Sequence, residues 1–488
     1  MLLRVCAMAA VVACCTSATA LAASPTWLAP EGLSPSGVAA NSPQVAMSAG
    51  GDVAAVWLRD GIRLAFRPAG GPTGASLLLG PGSVVSRPDV GFDPAGRAIV
   101  VWSAAVSGGE ARILRLVRGA DGTLSEPTQI SRAGGPAAGF SRLVVAKDGT
   151  ALATWFANEG GVYSFVAAAQ PPGGEFGTPV VLGAADGGFF GDVAFDPAGN
   201  AFAVWQKGNA VMGAARPAGG TFQPAAPVVT APMPVDDPRV ALGAGGQVVV
   251  GYRQDDPALV TPNPSVPKSR PWVIERPAGA AAFGAPQDLT VSPSGASLLD
   301  VAVTPAGESV AVQQSAFYPF GAAHAAGDTF PPPVRLSPVA HDLYSRPVVE
   351  AAPDGTTHVS WQGNGSDGAF LRHVTRAPGQ GFSAMATLPG SVNTVEEGLA
   401  VDAEGNAAAL WTQREAGFDR VVLSGHDAAG PQLRNLSVPA TGAPGAPLAF
   451  GVTPVDVWSP VASSSWSFGD GGTADGAAVT HAYAVLGT

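Results

Sequence analysis

The sequence predicts an all-β chain, most of it a ring of eight similar units of about 50 residues. Three observations predict this. A Gly stands six residues before a common slot in the pairs Gly51–Trp57, Gly96–Trp102, Gly149–Trp155, Gly199–Trp205, Gly246–Tyr252, Gly307–Gln313, Gly355–Trp361 and Gly405–Trp411, and the slot is Trp in six of the eight. The slots are 45, 53, 50, 47, 61, 48 and 50 residues apart. Val or Leu lies twelve residues before each slot and another apolar residue lies ten before it. Even spacing of this kind is the mark of a repeat architecture.

Each unit reads as four strands. The apolar residues twelve and ten before the slot have period-two spacing, so they define a first strand, and the residue between them is usually Ala or Gly. Both faces of that strand are apolar or small, as in a sheet covered on both sides. A turn follows, written Asp93-Pro94-Ala95-Gly96 and Asp196-Pro197-Ala198-Gly199 in the second and fourth units. Asp, then Pro, then Gly at the fourth position is type I turn chemistry, with the Gly free to take positive φ. A second apolar strand runs into the slot, as in Asn200–Trp205. A third often ends in Arg-Pro-Ala-Gly, as at Arg67, Arg216 and Arg276, and a fourth begins near Phe222, Phe283, Phe330 or Phe382. Four antiparallel strands make one propeller blade.

The ends of the array predict how the ring closes. The eighth unit has three strands, ending near residues 420–424, while residues 27–34 look like an orphan fourth strand. Pairing the two removes the exposed sheet edges. The prediction is an eight-bladed β-propeller over residues 24–430 with N-terminal strand closure. The irregular fifth and sixth units leave seven blades as the alternative. Residues 255–270, rich in Pro and polar side chains, read as a loop within the fifth blade.

Composition bounds the class. Hydrophobic residues make up 46% and charged residues 13%, enough apolar material to bury a core. Residues 1–23 read as a signal peptide, with Arg4, an apolar run from Val5 to Cys15 and an Ala20-Leu21-Ala22 cleavage site. All three Cys (Cys6, Cys14, Cys15) fall inside it, so the mature chain would use neither disulfides nor thiol chemistry. No later stretch is apolar for long enough to span a membrane as a helix. The net charge of -11 disfavours binding to a nucleic-acid backbone. With only three Lys (Lys147, Lys207, Lys268) the chain suggests a GC-rich bacterial gene and a secreted or cell-surface product. Val11-Val12-Ala13-Cys14 also resembles a lipobox, which would anchor the chain through lipid on Cys14.

Two resemblances extend this reading. The stretch Val193–Asn200 resembles NHL-type propeller repeats, and the strand–turn–Trp rhythm is similar to that of sialidase-like propellers, although the Ser-x-Asp-x-Gly-x-Thr-Trp order of an Asp box is absent. Near Leu433 the repeat stops. Residues 466–471, Trp-Ser-Phe-Gly-Asp-Gly, followed by Thr480-His481-Ala482-Tyr483, resemble a PKD domain. That resemblance implies an Ig-like β-sandwich over residues 431–488, acting as an extracellular spacer or adhesion module. PKD domains finish with a Gly-x-Tyr-x-Val strand, and this chain stops at Thr488 without it, so the expectation is an incomplete sandwich in a fragment of a longer protein. Within the motif Trp466 and Phe468 alternate into a core, and Asp470 belongs to the turn.

Candidate site residues come from the position thirteen before the slot, which reads Gln44, Asp89, Arg142, Asp192, Arg239, Asp300, Val348 and Gly398. Asp89, Arg142, Asp192, Arg239 and Asp300 alternate acid and base over five successive blades, and two uses are open to them. They can staple neighbouring blades, or they can bind a polar ligand at the rim of the channel. Arg67, Arg118, Arg216, Arg276 and Arg376 recur one per blade and read as surface residues of outer strands, unable to converge on one substrate. The six His show no metal-ligand spacing and no catalytic residue is assigned. Asp255-Asp256 offers weak Ca²⁺ binding at most, and no other cofactor is expected. The leading expectation is a monomeric binding or adhesion protein whose propeller engages an extracellular glycan or protein. The alternative is an extracellular polysaccharide-acting enzyme, a hydrolase or lyase, which would need acidic and basic groups converging on one rim near the irregular fifth and sixth blades. A structural surface-layer component is the third.

Overall fold

The computed structural model describes residues 26–485 apart from 81–83, 106–109, 187, 260–267, 293–295, 316, 340–341, 343–345 and 366–367. The signal segment, Cys14, His341 and the middle of the fifth-blade loop lie outside the described residues. Seven antiparallel sheets of four strands follow one another along the chain, and an eighth is completed by the N-terminus. In that sheet Trp27 pairs with His426, and Glu31 and Gly32 pair with Leu423 and Val422. The fold is therefore an eight-bladed propeller closed by its N-terminal strands. The irregular sixth unit is a full blade, and Tyr318–His324 is its regular third strand.

The innermost strands are Asn41–Met47, Val84–Phe92, Ala137–Val145, Gly191–Phe195, Val235–Leu242, Ala296–Val303, Val348–Ala351 and Thr394–Val401. Each pairs with a second strand that carries the slot. Trp57, Trp102, Trp155, Trp205, Trp361, Trp411 and Tyr252 are fully buried. Gln313, in the sixth slot, is equally buried and donates to Leu289 O at 2.7 Å. These side chains fill the wedges between blades, where burial of large aromatic surface supplies much of the cohesion.

The recurring Gly is explained by backbone geometry. All eight lie at positive φ, between 75° at Gly96 and 90° at Gly149, a region that excludes most side chains. In the second blade the carboxylate of Asp93 accepts from the N–H groups of Ala95 and Arg97, both at 3.0 Å, which closes the turn.

The innermost strands also share an irregularity. In six blades a bulge shifts the register just before the position thirteen ahead of the slot. A bulge re-aims the side chains that follow it. In those six blades it lies at the rim of the channel, near the start of the innermost strand.

The recurrent Arg side chains are not surface residues, as the sequence had suggested. Arg67, Arg216 and Arg376 are buried, and Arg118 and Arg276 are partly buried. Three of them reach back to the preceding blade. Arg118 lies 3.5 Å from the Phe66 ring centroid, Arg276 lies 5.5 Å from that of Phe202, and Arg376 makes two bonds to Glu308 at 3.1 and 3.3 Å. The end of the third strand faces the neighbouring blade, and the long aliphatic stem of Arg covers apolar surface there while its head finds a partner.

Beyond the ring, Gln432–Ser437, Leu448–Val455 and Ala478–His481 form one small sheet, and Ser465–Ser467 pairs with Thr473–Asp475. Phe450 packs on Trp466 and Phe468, and His481 stacks on Phe468 at 4.1 Å. Asp470 accepts from Gly472 N–H at 2.9 Å and pairs with His481 at 2.7 Å, so it serves the turn and its partner strand. This unit sits on the turn side of blades one and eight. Arg67 donates to Val457 O at 2.7 Å and lies 4.3 Å from the Trp458 ring centroid, while Ser459 donates to Asp427 at 2.8 Å. The described residues of this unit make their contacts with the ring on that side and not on the opposite face, where the innermost strands begin.

Candidate functional site

The innermost strands enclose a central channel with a cavity of about 700 Å³. Small residues eleven before the slot, such as Ala194, Ala241 and Ala302, line its walls, and polar residues thirteen before it include Arg142, Asp192, Arg239 and Asp300. Asp89 stands at the equivalent position of the second blade but does not line the cavity. The charged side chains come from blades two to seven. Blades one and eight contribute Gln44 and Gly398. The eight-fold equivalence of the backbone is thus broken by the side chains.

The three aspartates share one use. Asp89 accepts from Leu143 N–H at 2.9 Å, Asp192 from Val240 N–H at 3.1 Å and Asp300 from Val349 N–H at 3.1 Å. Each donor belongs to the next blade's innermost strand, whose channel-side edge has no ladder partner. A carboxylate there satisfies an N–H that would otherwise be left without one. The acid–base alternation, however, gives one direct pair between these blades, Arg142 to Asp192 at 3.3 Å. Arg239 pairs with Asp237 of its own strand at 3.1 Å. Asp237 also receives Arg346 of the seventh blade, so the two side chains bridge the fifth and seventh blades past the sixth.

Electrostatics distinguish two carboxyls in the cavity. Burial pushes Asp300 up to about 6, with the Arg239 charge opposing. Glu350 is pushed up to about 8, first by burial and then by the charge of Asp300, against the attraction of Arg142. Arg142 is held above its ordinary value, because Asp192 and Asp89 outweigh the effect of burial. At neutral pH Glu350 therefore keeps its proton while Asp300 is mostly ionised. The Glu350 carboxyl lines the cavity and accepts or donates no hydrogen bond among the described residues. Sequence reasoning passed over Glu350. Its signal was available, since it stands at the position where six of the other seven blades carry Ala or Gly.

The remaining sequence candidates are placed elsewhere. Asp256 accepts from Arg270 at 2.5 Å and from Ala258 N–H at 2.9 Å. His324 pairs with Glu275 at 3.1 Å on the turn side. Three His distant in sequence meet at the seam between blades seven and eight. Trp27 Nε1 donates to His373 Nδ1 at 3.2 Å, and His373 Nε2 lies 3.2 Å from His358 Nδ1. His426 stands 5.5 and 5.6 Å from these rings. Among the described residues no group of three or more His, Cys, Asp or Glu is arranged to hold a metal ion. No helix of the described residues is long and apolar enough to cross a membrane.

No protein-family model matches the chain, and no curated protein matches it. Solved structures resemble it at low identity. The polysaccharide lyase Uly1 is 11% identical over 76% of this chain and 94% of its own, with a TM-score of 0.46. The α-L-arabinanase of Penicillium chrysogenum, complexed with arabinobiose, is 13% identical over 83% and 99%, with a TM-score of 0.41. A protein of unknown function from Dyadobacter fermentans is 12% identical over 83% and 97%, with a TM-score of 0.39. At such identities the likeness concerns the fold alone.

Proposed function

We propose that the propeller is an extracellular polysaccharide-acting enzyme that cleaves glycosidic bonds in the central channel. The observation that carries this reading is the pair of carboxyls in one cavity, Glu350 pushed up to about 8 and Asp300 to about 6. Glycosidic cleavage needs a carboxylic acid that can protonate the leaving oxygen and a carboxylate that supports the developing cation or activates water. Glu350 is the proton donor and Asp300 the carboxylate. The proton passes from Glu350 to the glycosidic oxygen, the C–O bond breaks, and water supplies the hydroxyl to the sugar and returns a proton. Arg142 and Arg239 hold the neighbouring charges in place. In the same reading residues 1–23 direct export, and the C-terminal unit is a PKD module serving as a spacer.

A binding platform without turnover is the second reading, favoured by the bond that already engages one Asp300 oxygen with Val349 N–H. Release of reducing ends from arabinan, xylan and alginate separates the two. The enzyme reading expects turnover of one polysaccharide by the wild type and loss of it, by two or more orders of magnitude, in Glu350→Gln. Retained turnover in that variant would remove Glu350 from the mechanism. Retention of a polysaccharide with no turnover would leave the binding platform.

A further inference from the structure

The face at which the innermost strands begin carries a second feature, unused by the chemistry above. Phe140 precedes Arg142 by two residues, and Phe189 precedes Asp192 by three. Their rings stack at 4.3 Å with 13° between planes. Tyr163 meets Phe189 edge-on at 5.1 Å, and Phe156 supports it from below at 5.9 Å. Phe156 is buried, whereas Phe140 is 46% exposed. The stack is thus anchored in the core at one end and open to solvent at the other.

Both stacked residues lie at positive φ, Phe140 at 58° and Phe189 at 57°. For bulky side chains this conformation is rare and is kept where the surrounding structure imposes it. Phe140 lies in the bulge at the channel rim, where the register shifts between Gly139 and Arg142. The equivalent rim position in the second and seventh blades is held by Arg87 and Arg346, which line the channel mouth. Phe140 itself is not among the residues lining the cavity, but it stands two residues before Arg142 on the same strand, and Arg142 pairs with Asp192 at 3.3 Å where both line the cavity.

We propose that Phe140, seated on Phe189, is a stacking subsite for a sugar ring of a polysaccharide whose chain continues into the channel past Arg142 and Asp192. This rests on the reading of the channel as a polysaccharide site. The apolar C–H face of a pyranose or furanose ring matches the exposed face of an aromatic ring. The hydroxyls at its edge match donors and acceptors beside that ring, and the Arg142–Asp192 pair supplies both kinds. The subsite holds the polymer, and the chemistry lies deeper, at Glu350.

The test is affinity electrophoresis of the full chain in native gels containing soluble arabinan, xylan or alginate, with wild type, Phe140→Ala, Phe140→Trp and Glu350→Gln. Retardation of the wild type by one polysaccharide is expected, weakened roughly five- to tenfold in Phe140→Ala, restored in Phe140→Trp and kept in Glu350→Gln. Phe140 is exposed, so its truncation leaves the fold intact, and an unchanged melting temperature checks this. No retardation of wild type by any of the three overturns the proposal. Equal retardation of wild type and Phe140→Ala overturns the subsite while leaving the channel reading standing. Loss in Phe140→Ala together with undiminished turnover by Glu350→Gln sustains the subsite and sinks the catalytic reading instead.

Discussion

Acidification should loosen the ring at its closing seam, and His358 sets the size of the effect. The indole N–H of Trp27 can only donate, so His373 Nδ1 accepts and carries no proton. His373 Nε2 then bears the proton and donates to His358 Nδ1. Both rings are neutral in this arrangement, and a proton added to either breaks a hydrogen bond. Burial first, and then the neighbouring His426, depress His358 from 6.5 to about 4, with Asp354 opposing weakly. His373 is lowered too, by burial and by the other two rings. Between these values the unfolded chain binds a proton that the folded chain refuses. The seam's contribution is therefore intact above pH 6.5 and is lost as pH falls toward 4. For His358 alone, going from pH 7 to pH 4.5 costs about 2 kcal/mol. Urea unfolding followed by tryptophan fluorescence, at both pH values, measures it in wild type and His358→Gln. Comparing the two cancels the distant carboxyls, which titrate alike in both. Wild type should lose about 2 kcal/mol more than the variant on acidification. Equal losses would refute a neutral, hydrogen-bonded histidine seam.

Three further outcomes follow from individual contacts. Glu308→Ala leaves buried Arg376 without its two-bonded partner and should lower stability by about 3–5 kcal/mol in chemical denaturation, with Glu308→Gln intermediate. Gly425→Ala places a Cβ at 2.2 Å from Trp458 Cδ2, so the C-terminal unit should lift from the ring and be cleaved by protease near residues 428–431 while the propeller stays resistant. Glu350 releases its proton at about 8 in the fold and near 4.5 when unfolded, so it costs stability as pH rises from 4.5 through 8. Glu350→Gln should therefore melt higher than wild type at pH 8.5 and alike at pH 4.5, by differential scanning calorimetry.

What the sequence made legible was whatever the backbone imposes on every blade. The eight Gly residues report positive φ, and the buried Trp slots report the wedge between blades, so both recur and both can be read. The orphan N-terminal strand was legible because an open ring leaves a sheet edge to be paired. The site was less so. Of the five residues picked out by their position in the repeat, Arg142, Asp192, Arg239 and Asp300 line the cavity and Asp89 does not, and the same averaging hid Glu350, which departs from the repeat. The aromatic stack escaped notice because rim positions vary from blade to blade. The recurrent Arg residues were misread because a strand far from the channel was equated with surface, whereas Arg118, Arg276 and Arg376 reach the preceding blade and Arg67 meets the C-terminal unit. The histidine seam joins residues as far apart in the chain as Trp27 and His426 and has no local pattern at all.

The central claim is that a protonated Glu350 does the chemistry in the channel. The pH dependence of turnover, measured on whichever polysaccharide the wild type cleaves, tests it most directly. An alkaline limb is expected near pH 8, where Glu350 gives up its proton, with loss of that limb together with nearly all activity in Glu350→Gln. Activity that stays level through pH 10, or a limb unchanged in the variant, would contradict it.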